Sequence, residues 1–171
     1  SPILASVYGG KASAGIIIIP VIVSDLIVMY LYRKDVEKKV LFKILPLTVL
    51  GIIVAVIFGN NISDEIFKKS MGIIILIIGT LTLLKSLKID FSKLSFLFGF
   101  LGGIAAFIGN VSGPMMSIYL LNIKMDRDKF YGTRTWFYFI VNIIKATLYV
   151  LVLNNIHLET FKLTSVAIPF V

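Results

Sequence analysis

The sequence predicts an all-α fold: a polytopic membrane helix bundle, arranged as an inverted repeat with glycine-broken re-entrant helices. Three observations lead there. First, 58% of the residues are hydrophobic and only 15% charged, against roughly 25% charged in a soluble domain, so the chain has too little charge to cover a water-facing surface. The mean hydropathy of +0.98 says the same. Second, the apolar residues fall in runs near the roughly 20 residues that a spanning helix needs. Third, basic residues gather in particular loops between those runs, as they do on the cytoplasmic side of membrane proteins.

Taken in order, residues 12–32 form the first expected span, interrupted only by Asp25. Residues 44–63 are free of charge and form the second. Residues 66–84 form the third, with Lys68 and Lys69 near one end, where long basic side chains reach the interface. Residues 94–123 are an uncharged run of thirty. Residues 131–153 carry only Arg134 and Lys145, and residues 163–171 read as the start of a further span. The chain opens at Ser1-Pro2 without a charged signal-peptide region and stops inside an apolar run, so both ends are expected to be cut. There is no cysteine, which excludes disulfides, thiolate metal sites and cysteine nucleophiles.

Loop charge sets the expected sidedness. Residues 33–43 hold five basic residues against Asp35 and Glu37, residues 85–93 hold three lysines against Asp90, and residues 124–134 hold four basic residues against Asp126 and Asp128. These three loops are expected in the cytoplasm. Residues 59–70 balance two charges of each sign, and residues 154–162 carry Lys162, Glu159 and His157; these two are expected outside. Residues 94–123 therefore lie between two cytoplasmic loops and should enter the membrane and return. Gly109-Asn110-Val111-Ser112-Gly113-Pro114 supplies the break, since Gly and Pro punctuate helices and Pro suits a helix start.

An internal repeat agrees with this topology. Tyr8-Gly9-Gly10-Lys11 is similar to Tyr131-Gly132-Thr133-Arg134, and Ser1-Pro2-Ile3-Leu4 to Gly113-Pro114-Met115-Met116. The equivalent helices, 12–32 and 135–153, would run in opposite directions. The expected organisation is a first repeat over residues 1–84, a cytoplasmic linker over 85–93 and a second repeat over 94–171. Inverted repeats are common in secondary transporters, with the site near the midplane at broken helices.

Ionisable residues within spans are costly and mark functional sites by default. Lys145 sits mid-helix, with Asn142 on the same face; Asp25 is its natural ion-pair partner. Lys11 and Arg134 lie near helix ends, where interfacial anchoring is the simpler role. At the break, Ser112 suits an N-cap, Asn110 adds an amide, and Gly113 lets a ligand approach the backbone. A half-helix N-terminus favours anions. The glycines also allow close helix packing, Gly99 to Gly103 having small-xxx-small spacing. Enzymatic readings find little: one His, no carboxylate dyad within the spans, no phosphate loop and no dinucleotide fingerprint.

The run from Gly109 to Leu121, then Phe130-Tyr131-Gly132-Thr133-Arg134 followed by Phe137, Asn142, Lys145 and Tyr149, resembles the second-repeat motif of the TauE/SafE family of sulfite exporter-like permeases. Lys11-Ala12-Ser13-Ala14-Gly15, Pro20, Asp25, Tyr32-Arg33, Pro46 and Gly51 resemble its first repeat more loosely. The resemblance implies a multi-pass permease of the bacterial cytoplasmic (inner) membrane, not an enzyme, that exports sulfite, sulfoacetate or another small organosulfonate. A passive anion channel or a non-transporting membrane subunit are the alternative readings. Expected substrate-binding residues are Asn110, Ser112, Gly113, Asn142 and Lys145; expected gating or coupling residues are Lys11, Asp25 and Arg134. No cofactor, metal or nucleic acid is expected. The expected partners are a small anionic substrate and the lipid bilayer, and a homo-oligomer is compatible with the architecture.

Overall fold

The computed structural model describes residues 6, 8, 10–84, 95–109 and 112–151. The described residues form an all-helical chain of six principal helices: α1 Gly10–Leu31, α2 Lys38–Asn61, α3 Asp64–Leu84, α4 Ser95–Gly109, α5 Ser112–Asn122 and α6 Arg127–Leu151. Four fall on the expected spans, although α2 and α6 begin several residues earlier than the apolar runs because their first turns are basic and solvated. The run over 94–123 is two helices, α4 and α5, divided at the glycine-rich break. The linker 85–93, the loop 154–162 and the apolar run 163–171 lie outside the described residues.

Among the described residues, α2 is the one helix that is both long and apolar enough to cross a membrane, with shorter apolar helical stretches at Ile16–Leu31 and Phe96–Ile108. Its 24 residues reach about 36 Å at 1.5 Å per residue, against a hydrocarbon core of about 30 Å. It carries Pro46 in its interior, on the exposed side of the helix. Helix α3 starts with Ser63, whose hydroxyl accepts from the Ile66 amide at 3.4 Å, followed by Asp64 and Glu65 in the first turn, which suit the positive end of the helix dipole. The same two acids pair with Lys68 and Lys69 at 3.4 and 2.8 Å, so the balanced charges of this loop neutralise one another locally. Helix α5 stops where Lys124 adopts a left-handed φ of 52°, a turn that ends helices.

The most extensive packing joins α2 to α4, and α1 to α6 comes next. Glycine makes the first pair possible. A Cβ on Gly51 would overlap the Phe100 carbonyl oxygen, and one on Gly103 would overlap that of Thr48. A Cβ on Gly99 would come within 2.8 Å of the Leu47 Cβ and 3.3 Å of the Ile44 carbonyl oxygen. Only bare backbone lets the two helices come this close. Residue numbers rise together along the contact, ending with the Phe107 ring against Gly59, so α2 and α4 run parallel. Helix α5 returns beside α4: the Phe98 and Tyr119 rings lie 6.4 Å apart, and Phe98, Gly102, Met116 and Tyr119 line one small cavity with Ile44 and Phe137.

Helices α1 and α6 run antiparallel. Tyr32 stacks near Tyr131, 5.4 Å between rings, while Asp25 meets Asn142 further along. The loop between α1 and α2 clamps onto the first turns of α6. The Glu37 amide donates to Thr133 Oγ1 at 2.8 Å, Lys129 lies 3.5 Å from the Glu37 carboxylate, and Gly132 leaves room for the Asp35 carbonyl, which a Cβ would approach to 2.6 Å. The basic loops at 33–43 and 124–134 therefore share one end of the bundle, as two loops on one side of a membrane must.

Candidate functional site

The bundle has an apolar core, but it also exposes many large apolar side chains and buries a small set of polar ones. Large apolar side chains face outward, among them Phe42 and Phe58 on α2 and Ile73 and Leu76 on α3, Leu76 with 72% of its surface exposed. Exposed apolar area of this extent marks a partner surface or a membrane. Ser13, Thr48, Thr133, Thr135, Asn142 and Lys145 point inward and are buried. The threonines of this group close on their own helix where they can: Thr48 and Thr135 donate to the carbonyls of Ile44 and Tyr131.

The charged groups inside are organised by α6. Arg134, Tyr138, Asn142, Lys145 and Tyr149 follow one another at intervals of four, four, three and four residues, which stacks them along one helical face. Asp25 comes from α1, opposite the middle of this stripe. The Asn142 amide donates to Asp25 Oδ2 at 2.7 Å, and the Asp25 carboxylate interacts electrostatically with both Lys145 and Arg134. Lys145 has only 1% of its surface exposed, so its ammonium is fully removed from bulk water. A cation at this depth needs a counter-charge, and Asp25 supplies it.

Tyr138 joins the stripe to the broken segment. Its hydroxyl donates to the Gly113 carbonyl at 2.9 Å, and the Ser117 hydroxyl donates to the same oxygen at 2.8 Å. Gly113 is the second residue of α5, so the first turn of that helix is tied to the centre of α6. The Arg134 guanidinium lies 5.5 Å from the centre of the Tyr138 ring, within cation–π range. Its Nε is buried and has no hydrogen-bond partner. An unsatisfied donor on a cation is expensive in a dry interior, and an anion seated beside it would satisfy it. Further along, the Tyr149 hydroxyl donates to the Phe107 carbonyl at 2.6 Å, with the two rings stacked 5.0 Å apart, which fastens α6 to α4 near the break.

Of the residues expected from sequence, the structure brings together Asp25, Asn142, Lys145 and Arg134, with Gly113 joined to them through Tyr138. Ser112 opens α5. Asn110 lies outside the described residues. Lys11 sits in the first turn of α1, at the end far from Tyr32, so the antiparallel run of α1 and α6 keeps it away from Arg134. Sequence reasoning missed Tyr138 and Ser117. The signal for Tyr138 was available: it falls midway between Arg134 and Asn142, one turn from each. Ser117 lies one turn after Gly113, a spacing without distinguishing chemistry of its own.

Exposed apolar side chains outside and a charged cluster inside fit an integral membrane helix bundle. The chain belongs to the sulfite exporter TauE/SafE family, whose model matches residues 1–171. That family consists of membrane permeases rather than enzymes. Comparison with curated proteins and with solved structures gave no match.

Proposed function

We propose that this protein is a secondary transporter of a small anion such as sulfite, sulfoacetate or another organosulfonate, working in the bacterial cytoplasmic membrane. The observation that carries this reading is the pair of inward cations on one face of α6: Lys145, fully buried, and Arg134, whose Nε has no hydrogen-bond partner. Two cations facing one carboxylate leave a net positive site, and the partial positive charge at the start of α5 adds to it. Such a site selects anions. Lys145, Asn142 and Gly113 would contact the substrate with Ser112 and Asn110 beside them; Arg134, Asp25 and Lys11 would gate access or couple it to a driving ion.

In this reading α4 and α5 form a re-entrant hairpin. Helix α5 has 11 residues, about 16 Å, too short to cross a hydrocarbon core of about 30 Å. Its return beside α4 and the clamp at the basic-loop end support the same arrangement. The antiparallel packing of α1 on α6 supports the inverted repeat, with residues 1–84 and 94–171 as its halves and 85–93 as the cytoplasmic linker. Alternating access then follows from one half rocking against the other around the site.

The test is counterflow. Proteoliposomes carrying the full-length protein and loaded with unlabelled sulfite or sulfoacetate should accumulate the labelled anion transiently. Absence of counterflow for every small sulfur oxyanion tried would remove the transporter reading.

A further inference from the structure

We infer that the Asp25 carboxylate is a tethered occupant of the anion site, and that a dianionic substrate replaces it only as Asp25 takes up a proton. The inference rests on reading the Arg134–Lys145 face as the substrate site, and it adds the coupling ion and the charge of the substrate.

One hydrogen-bond donor and two cations of α6 face Asp25. Asn142 holds one carboxylate oxygen at 2.7 Å, and Lys145 and Arg134 act on it electrostatically. These are the groups that a bound oxyanion would use. A carboxylate presents two oxygens and one negative charge, so in the present arrangement Asp25 takes the place of half a dianion. The other elements packed on α1 add no competing charge there. Helix α4 contains no ionisable residue between Ser95 and Gly109. Helix α3 carries its charges at its first two turns, where Asp64 pairs with Lys68 and Glu65 with Lys69. From α6, Tyr138 also faces Asp25, but its hydroxyl donates to the Gly113 carbonyl.

Charge counting then sets the stoichiometry. With Asp25 ionised and Lys145 protonated, the Arg134–Lys145–Asp25 cluster carries one net positive charge. Adding a dianion leaves a net negative charge inside a low-dielectric bundle, which is strongly disfavoured. With Asp25 protonated, the cluster carries two positive charges and a dianion neutralises it. The proton ends on the Asp25 carboxyl, the Asn142 amide and both cations turn to the substrate, and no covalent bond forms or breaks. One dianion therefore moves with one proton.

The experiment is calorimetric binding of sulfoacetate to the purified full-length protein, in buffers of differing ionisation enthalpy, between about pH 6 and 8, where both acid groups of the ligand are ionised. Wild-type protein should take up close to one proton per ligand, and above the carboxyl's own titration its Kd should weaken about tenfold per pH unit. Asp25→Asn, which keeps the shape and removes the Asp25 titration, should take up about one proton fewer than wild type, any remaining uptake falling on Lys145, and its affinity should depend less steeply on pH. A wild-type protein that binds sulfoacetate with no proton uptake overturns the inference, whether or not Asp25→Asn inserts. Uptake in Asp25→Asn equal to that of wild type overturns it too. If wild-type protein binds no anion and shows no counterflow, the anion-site reading itself falls, and this inference with it.

Discussion

Substituting Gly103 by alanine tests the packing that positions the broken segment. In the crossing of α2 and α4, a Cβ on Gly103 would overlap the Thr48 carbonyl oxygen and stand 3.0 Å from the Ile52 amide nitrogen. Both are backbone atoms of a helix and cannot rotate aside, so α2 and α4 must part. Overpacking of this kind costs about 1–3 kcal/mol. Alanine is intrinsically the better helix former by about 1 kcal/mol, which offsets part of the loss. Gly102, the neighbouring residue, is the internal control. A Cβ there meets nothing within 4 Å, because Gly102 faces the small cavity shared with Phe98, Met116 and Phe137. Gly102→Ala should therefore raise stability by up to about 1 kcal/mol. Gly103→Ala should lower it, leaving the two variants about 1–3 kcal/mol apart. Reversible unfolding in mixed micelles, followed by helical circular dichroism, measures the difference. Equal stability for the two variants would refute the glycine-mediated crossing.

Further outcomes follow from the same contacts. Tyr149→Phe removes the 2.6 Å hydrogen bond to the Phe107 carbonyl and should cost about 1 kcal/mol in the same unfolding assay, the ring stacking being retained. Tyr138→Phe frees the Gly113 carbonyl of one of its two donors; anion affinity should fall several-fold by calorimetry while the unfolding midpoint moves little, because Ser117 still donates. Single cysteines placed at Asp90 and at Lys124 should label from the same side of the membrane with an impermeant maleimide, since the hairpin reading brings both ends of residues 94–123 to one face. Opposite labelling would remove the hairpin.

Much of the helical layout was legible because apolar run length and charge placement report directly on bilayer solvation. Gly109 and Pro114 marked the division between α4 and α5, and the loops around Arg33 and Lys129 marked a shared end of the bundle. The family was legible in the same segments. The site was legible in part. Lys145 and Asp25 announced themselves as charges within apolar runs, and Asn142 followed from its spacing to Lys145. Tyr138 did not, because tyrosine is ordinary at a membrane interface and only the direction of its hydroxyl, toward Gly113, reveals its part. The separation of Lys11 from Arg134 could not be read from their similar local motifs, which describe equivalence under the repeat rather than proximity. The close approach of Gly51 to Phe100 depends on which faces of α2 and α4 meet, a tertiary fact that helical periodicity alone does not supply.

The central claim is that the cations of α6 bind the transported anion. The direct measurement is sulfoacetate counterflow in proteoliposomes with wild-type protein and with Lys145→Gln, whose insertion is verified by size-exclusion chromatography. The account predicts robust counterflow for wild type and a loss of at least about tenfold for Lys145→Gln, corresponding to a single buried charge-assisted contact of about 1.5–3 kcal/mol. Unchanged counterflow in a folded Lys145→Gln protein would contradict it.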